Sequence, residues 1–302
     1  MKKYLAVFNL MCFSAVVIPQ AHAALNVLAC EPEWGALTQA LAGDRVHVYV
    51  ATTAQQDPHH IQARPSLIAR ARGADLLVCT GADLEAGWLP VLLRQAGNAR
   101  IQPGQPGNVV AADAVKKLEI PASVDRAQGD VHAAGNPHIQ TDPRNIAAVA
   151  RVLAARLAQI DPAHAADYAA QHVAFAQRWQ AAIQRWETAA APLQGVAIVT
   201  QHKGFPYLNQ WLGLKEITTL EPQPGVDPSA AYLGEVLARL QRTPAKMILR
   251  AAYNDGRPAQ WLAERAHLPV VVVPFTVGGN EQAQDLFSLF DDTVARLLGA
   301  LR

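Results

Sequence analysis

The chain has 302 residues, enough for two ordinary domains or one large one, and 51% of them are hydrophobic, so a sizeable core is available. Its 26 basic and 25 acidic residues nearly cancel, which removes the electrostatic ground for a nucleic-acid partner or an anionic membrane surface.

The chain opens with Lys2 and Lys3, an apolar run from Tyr4 to Pro19, and a small-x-small site at Ala21, His22 and Ala23. That pattern predicts a secretory leader cleaved after residue 23. An uncleaved anchor is the competing reading, but the run is short of the ~20 residues of a spanning helix. Cys12 lies in the leader without the small-residue context of a lipid-attachment site. Cleavage leaves Cys30 and Cys79, each closing a strand-like run. In an oxidising compartment they either form one disulfide or remain two buried thiols, and spacing alone does not decide between these.

From there, apolar strands alternate with helical patterns. LNVLA (25–29) precedes a helix over 32–42, and RVHVYV (45–50) precedes a loop over 51–64. A helix from Pro65 leads to DLLVC (75–79), and one over 85–95 leads to NVVAA (108–112). Alternation of this kind predicts a parallel sheet. In the middle, Ile146, Val149, Ala150, Leu153 and Leu157 share one helical face. Asp161 and Pro162 then supply a cap and a first-turn proline. A helix of some 30 residues follows, with a stripe of Tyr168, His172, Phe175, Trp179, Ile183 and Trp186, and at 1.5 Å per residue it spans ~45 Å. The alternation resumes with strands at 196–200, 216–220, 246–250 and 270–274 and helices at 228–242, 257–267 and 283–300. The fold class expected is α/β, with two lobes, each a parallel sheet flanked by helices, joined by one long rigid connector helix. The division expected is a leader over 1–23, an N-terminal lobe over 24–142, a helical connector over 143–191 and a C-terminal lobe over 192–302. Ligands of open parallel sheets sit beyond the carboxyl ends of the strands.

Histidines accumulate in those places. His47 lies in a strand, and His164, His172 and His267 lie in helical patterns, where histidines are more often structural than ligating. The others fall in loops: His59 and His60 in DPHHIQARPS, His132 and His138 in GDVHAAGNPHIQTDP, and His202 in TQHKGFPYL. Neutral imidazole is a common ligand for zinc, copper and nickel. None of these spacings is a zinc finger or a metalloprotease helix. Strand-end placement in both halves is what favours a metal site over scattered loop histidines.

Four segments taken in order carry a resemblance. They are DPHHIQARPSLIARARGADLLVCTGADLEAGW, GNPHIQTDPRN, TQHKGFPYLNQWLGL and EPQPGVDPSA. The chain resembles the metal-binding solute-binding proteins of zinc and manganese ABC importers, the cluster A-I family, and the resemblance covers most of the mature chain. It implies a periplasmic protein that captures Zn2+ between two lobes and delivers it to an ABC membrane permease, as a non-enzyme and a monomer, with a periplasmic zinc metallochaperone as a further candidate partner.

By the same resemblance the ligands are His59 (directly after a proline and six before Pro65), His138 and His202. The fourth is an acid in the loop after the last strand, for which Asp285 is the first choice and Glu281 the second. Asp285 also reads as an ordinary helix N-cap. His60 is then a neighbour facing elsewhere, although it is the alternative ligand of its pair. Three imidazoles and a carboxylate suit tetrahedral Zn2+, whereas the family's manganese members carry a second carboxylate. The stretch over 123–137 is short, holding only Asp130 and His132 as accessory candidates, and reads as a flap that hands over metal or as a plain loop. Asp57 is a candidate acceptor for an imidazole N–H. Affinity is expected to fall below about pH 6, since free histidines protonate near 6.5. The rival from another class is an exported zinc hydrolase with an open three-histidine site.

Overall fold

The computed structural model describes residues 23–123 and 129–302. The expected leader, save its last residue, lies outside the described residues, as does 124–128 of the expected flap. Among the described residues no helix is long and apolar enough to cross a membrane.

The first sheet is built from β1 (Leu25–Ala29), β2 (Val46–Val50), β3 (Leu76–Cys79) and β4 (Asn108–Val110), all parallel, in the order β2-β1-β3-β4. β3 reads LLVC and is buried throughout, as a central parallel strand covered on both faces must be. The helices α1 (Pro32–Ala42), α2 (Pro65–Arg72) and α3 (Leu89–Ala96) flank this sheet, each with a proline in its first turn, where a missing N–H costs nothing. α3 begins later than the apolar pattern suggested. Residues 82–88 form turns that start from positive φ at Gly81, Ala82 and Asp83 and end at Trp88, which caps the helix at φ -138.

The second sheet repeats the plan with β5 (Ala197–Thr200), β6 (Lys215–Thr219), β7 (Met247–Ala251) and β8 (Val270–Val273), in the order β6-β5-β7-β8. Between β5 and β6 lies a short helix α6 (Pro206–Leu212) that periodicity did not reveal, because seven residues are too few to show a period. Helices α7 (Ala230–Arg242), α8 (Arg257–Ala266) and α9 (Leu286–Gly299) complete this half.

Between the sheets run α4 (Pro143–Ile160) and α5 (Ala165–Ala189). α5 has 25 residues, or about 38 Å. It is shorter than expected because Pro162–His164 and Ala191–Leu193 are 3-10 turns at its two ends. Its buried stripe of Tyr168, Phe175, Trp179, Ile183 and Trp186 faces α4 and touches α1 of the first half and α9 of the second. Trp179 packs edge-on to Phe290, 5.6 Å between ring centres, and Trp186 meets the same ring at 5.1 Å. One hydrophobic cluster therefore runs from Trp34 and Leu37 through α5 to Leu249 and Phe290.

Polar contacts also join the halves. The Thr276 hydroxyl donates to Glu33 at 2.5 Å, both residues buried, and Lys203 pairs with Glu119 at 3.2 Å. Cys30 and Cys79 form a disulfide across the ends of β1 and β3, with their Cα atoms 4.8 Å apart.

Candidate metal centre

His59 sits in a 3-10 turn, Pro58–His60, whose cap is Asp57. One carboxylate oxygen of Asp57 accepts from the His59 backbone N–H at 3.0 Å and meets the ring Nδ1 at 2.6 Å. This fixes the tautomer, so Nε2 of His59 presents its lone pair to the cleft. His60 leaves the same turn in the other direction. Its side chain is 65% exposed and lies 3.7 Å from Asp130. Burial alone would raise the Asp57 carboxyl, but the bonds from His59 outweigh it and hold the carboxyl below its ordinary value.

His202 lies two residues past β5 and is buried. Its Nδ1 meets Glu221 Oε2 at 2.7 Å, and the same oxygen accepts from the Gly225 backbone N–H at 2.8 Å. His202 Nε2 is thereby freed in the way His59 Nε2 is. His138 enters just before α4, where Asn136 accepts from its backbone N–H at 3.0 Å. Phe275, from the loop after β8, packs edge-on against the His138 ring at 5.3 Å. It does so at φ 72, a conformation that a bulky residue adopts only under constraint and that often marks a functional site.

The three rings converge from three loops. Nitrogens of His59, His138 and His202 all lie within 4.8 Å of one another, and each residue is buried. His138 Nε2 and His202 Nε2 are 3.2 Å apart, as are His59 Nε2 and His132 Nε2. Ligand nitrogens around a tetrahedral zinc ion, at Zn–N of about 2.0–2.1 Å, are about 3.3 Å apart. The measured separations match that edge. His132 stacks on His59, 5.2 Å between ring centres, at the edge of the cluster and outside the shared 4.8 Å group.

Burial, with the neighbouring rings adding to it, pushes His132 down to about 4 and His138 well below the ordinary histidine value. Both shifts favour the neutral, ligand-competent ring.

The acids expected to complete the site are elsewhere. Asp285 is exposed and caps α9 in a capping box, accepting from the Ser288 backbone at 2.7 Å while the Ser288 hydroxyl bonds back to its N–H at 2.9 Å. Glu281 is exposed too, and neither belongs to the ligand group. Of this loop, Phe275 packs on the His138 ring and Thr276 bonds Glu33, and neither is acidic.

The described part of the flap lies across the mouth. Asp130 donates its backbone N–H to Pro224 at 2.8 Å on one side, and Ala134 donates to Asp83 at 3.3 Å on the other. Gly225 is needed here, since φ is +75 and a Cβ would lie 2.1 Å from the Asp130 carboxylate.

Two features were not foreseen. One is Glu221 as the partner of His202, 19 residues along the chain, which no local pattern announces. The other is a buried acid cluster beneath the site, made by Glu31, Glu33 and Glu85. Glu31 and Glu85 both accept from the Thr80 backbone N–H, at 3.2 and 2.7 Å. Burial raises Glu33 to about 7 and Glu85 to about 7; burial, with the charges of the other two acids, also raises Glu31 well above the ordinary carboxyl value. Cys30, Cys79 and Glu85 also approach one another, but the sulfurs are spent in the disulfide.

The chain is 22% identical over 272 residues to the high-affinity zinc uptake system protein ZnuA of Bacillus subtilis, covering 88% of this chain and 82% of that one. It is also 22% identical over 245 residues to the manganese ABC transporter substrate-binding lipoprotein PsaA of Streptococcus pneumoniae, covering 80% and 76%. Among solved structures, a crystal structure of ZnuA superposes with a TM-score of 0.77 at 21% identity, covering 92% of this chain and all of that one, a likeness of fold. Residues 27–300 match the family described as the periplasmic component A of the zinc-uptake complex, and the chain belongs to that family.

Proposed function

We propose that the protein captures Zn2+ between its lobes outside the cytoplasm and hands it to an ABC membrane permease for import. The observation that carries this reading is the convergence of His59, His138 and His202, with Asp57 and Glu221 fixing the tautomers of two of them. The relatives named for zinc and manganese supply the transport context. An all-imidazole donor set without a carboxylate favours zinc over manganese, which prefers oxygen. His132 is the nearest further nitrogen and takes the fourth position in this reading, in place of Asp285. Asp130 and His60 lie outside it, toward solvent, where arriving metal would first meet protein. A periplasmic metallochaperone would dock on that open side, and the protein works as a monomer.

The hydrolase alternative finds no support. A fourth imidazole closes the position that a reactive water would need.

Calorimetric titration of the chelated protein with Zn2+ and Mn2+ tests the reading. One tight zinc site is expected. His59→Ala, His138→Ala and His202→Ala should each weaken it on the order of 100-fold or more, beyond the range for outlying partners, and His132→Ala by about 10-fold. Asp285→Ala should leave it unchanged. Zinc binding indifferent to the three histidines, or tighter binding of manganese, would overturn the assignment.

A further inference from the structure

Bordering His138 lies a cavity of about 20 Å3 lined by Glu31, Glu33, His138, Gln140, Tyr253 and Thr276 among others. Three of these side chains carry buried atoms without a hydrogen-bond partner among the described residues: His138 Nδ1, Gln140 Oε1 and Glu31 Oε1. The residues are 1%, 4% and 3% exposed. Such orphans are rare, because each costs about 1–3 kcal/mol. Three bordering one small cavity point to a common partner within it.

The chemistry of the three atoms identifies that partner. When His138 binds metal through Nε2, its proton must sit on Nδ1, which becomes a donor. Gln140 Oε1 is an acceptor. Glu31 Oε2 is already engaged by the Thr80 backbone N–H at 3.2 Å and hydroxyl at 3.0 Å, so Oε1 is the free end. One molecule is required that accepts from an imidazole N–H, donates to an amide oxygen and bonds a carboxyl oxygen in either protonation state. Water meets all three demands, and a cavity this size holds about one, with the two to four partners a buried water needs.

We infer that one water molecule occupies this cavity, bridging His138 Nδ1 to Gln140 and Glu31, and that these two are positioning residues for the metal site. The inference rests on the proposed metal-binding reading and adds to it. His59 and His202 are held by carboxylates directly, and His138 is held by a water-mediated relay. Orientation of a metal-bound imidazole by the partner of its other nitrogen typically controls affinity 10–100-fold.

The test begins with the wild-type zinc titration. If the chelated protein binds no zinc, or His138→Ala binds as well as wild type, the metal reading itself fails and the relay falls with it. If that titration succeeds, the relay is read separately. A high-resolution crystal structure of the zinc-loaded protein should show a density peak within hydrogen-bond distance of all three atoms. Gln140→Leu should lower zinc affinity about 10-fold and shift the visible absorption of the Co2+-substituted site. Gln140→Glu, which keeps an acceptor of the same length, should restore both. A merely structural role for Gln140 would lower the melting temperature without moving the cobalt spectrum. An empty cavity, a direct bond from His138 to Gln140, or an unchanged spectrum in Gln140→Leu overturns the inference.

Discussion

Glu33 has its carboxyl sealed between the lobes with one bond from Thr276, and burial holds it at about 7 against an ordinary 4.5. A raised folded value means that the folded protein keeps a proton the unfolded chain would release. Well below pH 4.5, both states are protonated and the group is neutral for stability. As pH climbs from there to about 7 the unfolded chain ionises first, so stability falls, levelling off above. The penalty is on the order of 3 kcal/mol at most. Glu33→Gln keeps an acceptor for Thr276 and removes the titration. Thermal melts of the chelated protein should show the variant near wild type at about pH 5 and several degrees more stable at about pH 8. Equal differences at both values would show that the carboxyl is not held protonated.

Several site residues were legible because their neighbours in sequence specify them. The Asp57 cap both builds the 3-10 turn and receives the His59 ring, so two histidines in series are sent opposite ways. The D-L-F-S run at Asp285 is a capping pattern in plain view, and resemblance alone assigned it to metal. Glu221 and the cavity bordering His138 could not be read, because they are made by residues that meet only after folding.

At the scale of elements, strands were placed within about two residues of their observed bounds, since four to five apolar residues between polar breaks are a strong signal. The disulfide was left open because it depends on β1 and β3 being neighbours, which the crossover decides and the local sequence does not. It closes a loop with a sequence separation of 49 and ties the strand that leads to Glu31 to the one that leads to Thr80 and Glu85. In the chain-entropy account that closure is worth up to about 4 kcal/mol. The Cys30→Ser, Cys79→Ser double variant should melt about 5–10 °C lower, and wild type with dithiothreitol should follow it. A melting temperature that neither change moves would mean that the bridge contributes nothing.

For the molecule as a whole, two lobes, each with a parallel sheet flanked by helices, were foreseen from the alternation, but the strand order the two sheets have in common was not. Nor was the way they share one core. α5 does more than connect, because its tryptophans lie in the same cluster as Trp34 and Phe290. Although each lobe also keeps a cluster of its own, around Leu67, Trp88 and Leu92 in the first and around Leu233, Ile248 and Leu262 in the second, the two thus share one interior. Calorimetry should therefore record a single cooperative transition, whereas two resolved peaks would mean independent lobes. On the proposed reading, a cargo ion held by side chains from both halves would stabilise the folded chain as a unit, by an amount that grows with the logarithm of its free concentration. Resistance to proteolysis at sites far from the cleft, α9 among them, becomes a gauge of how much metal the surroundings contain.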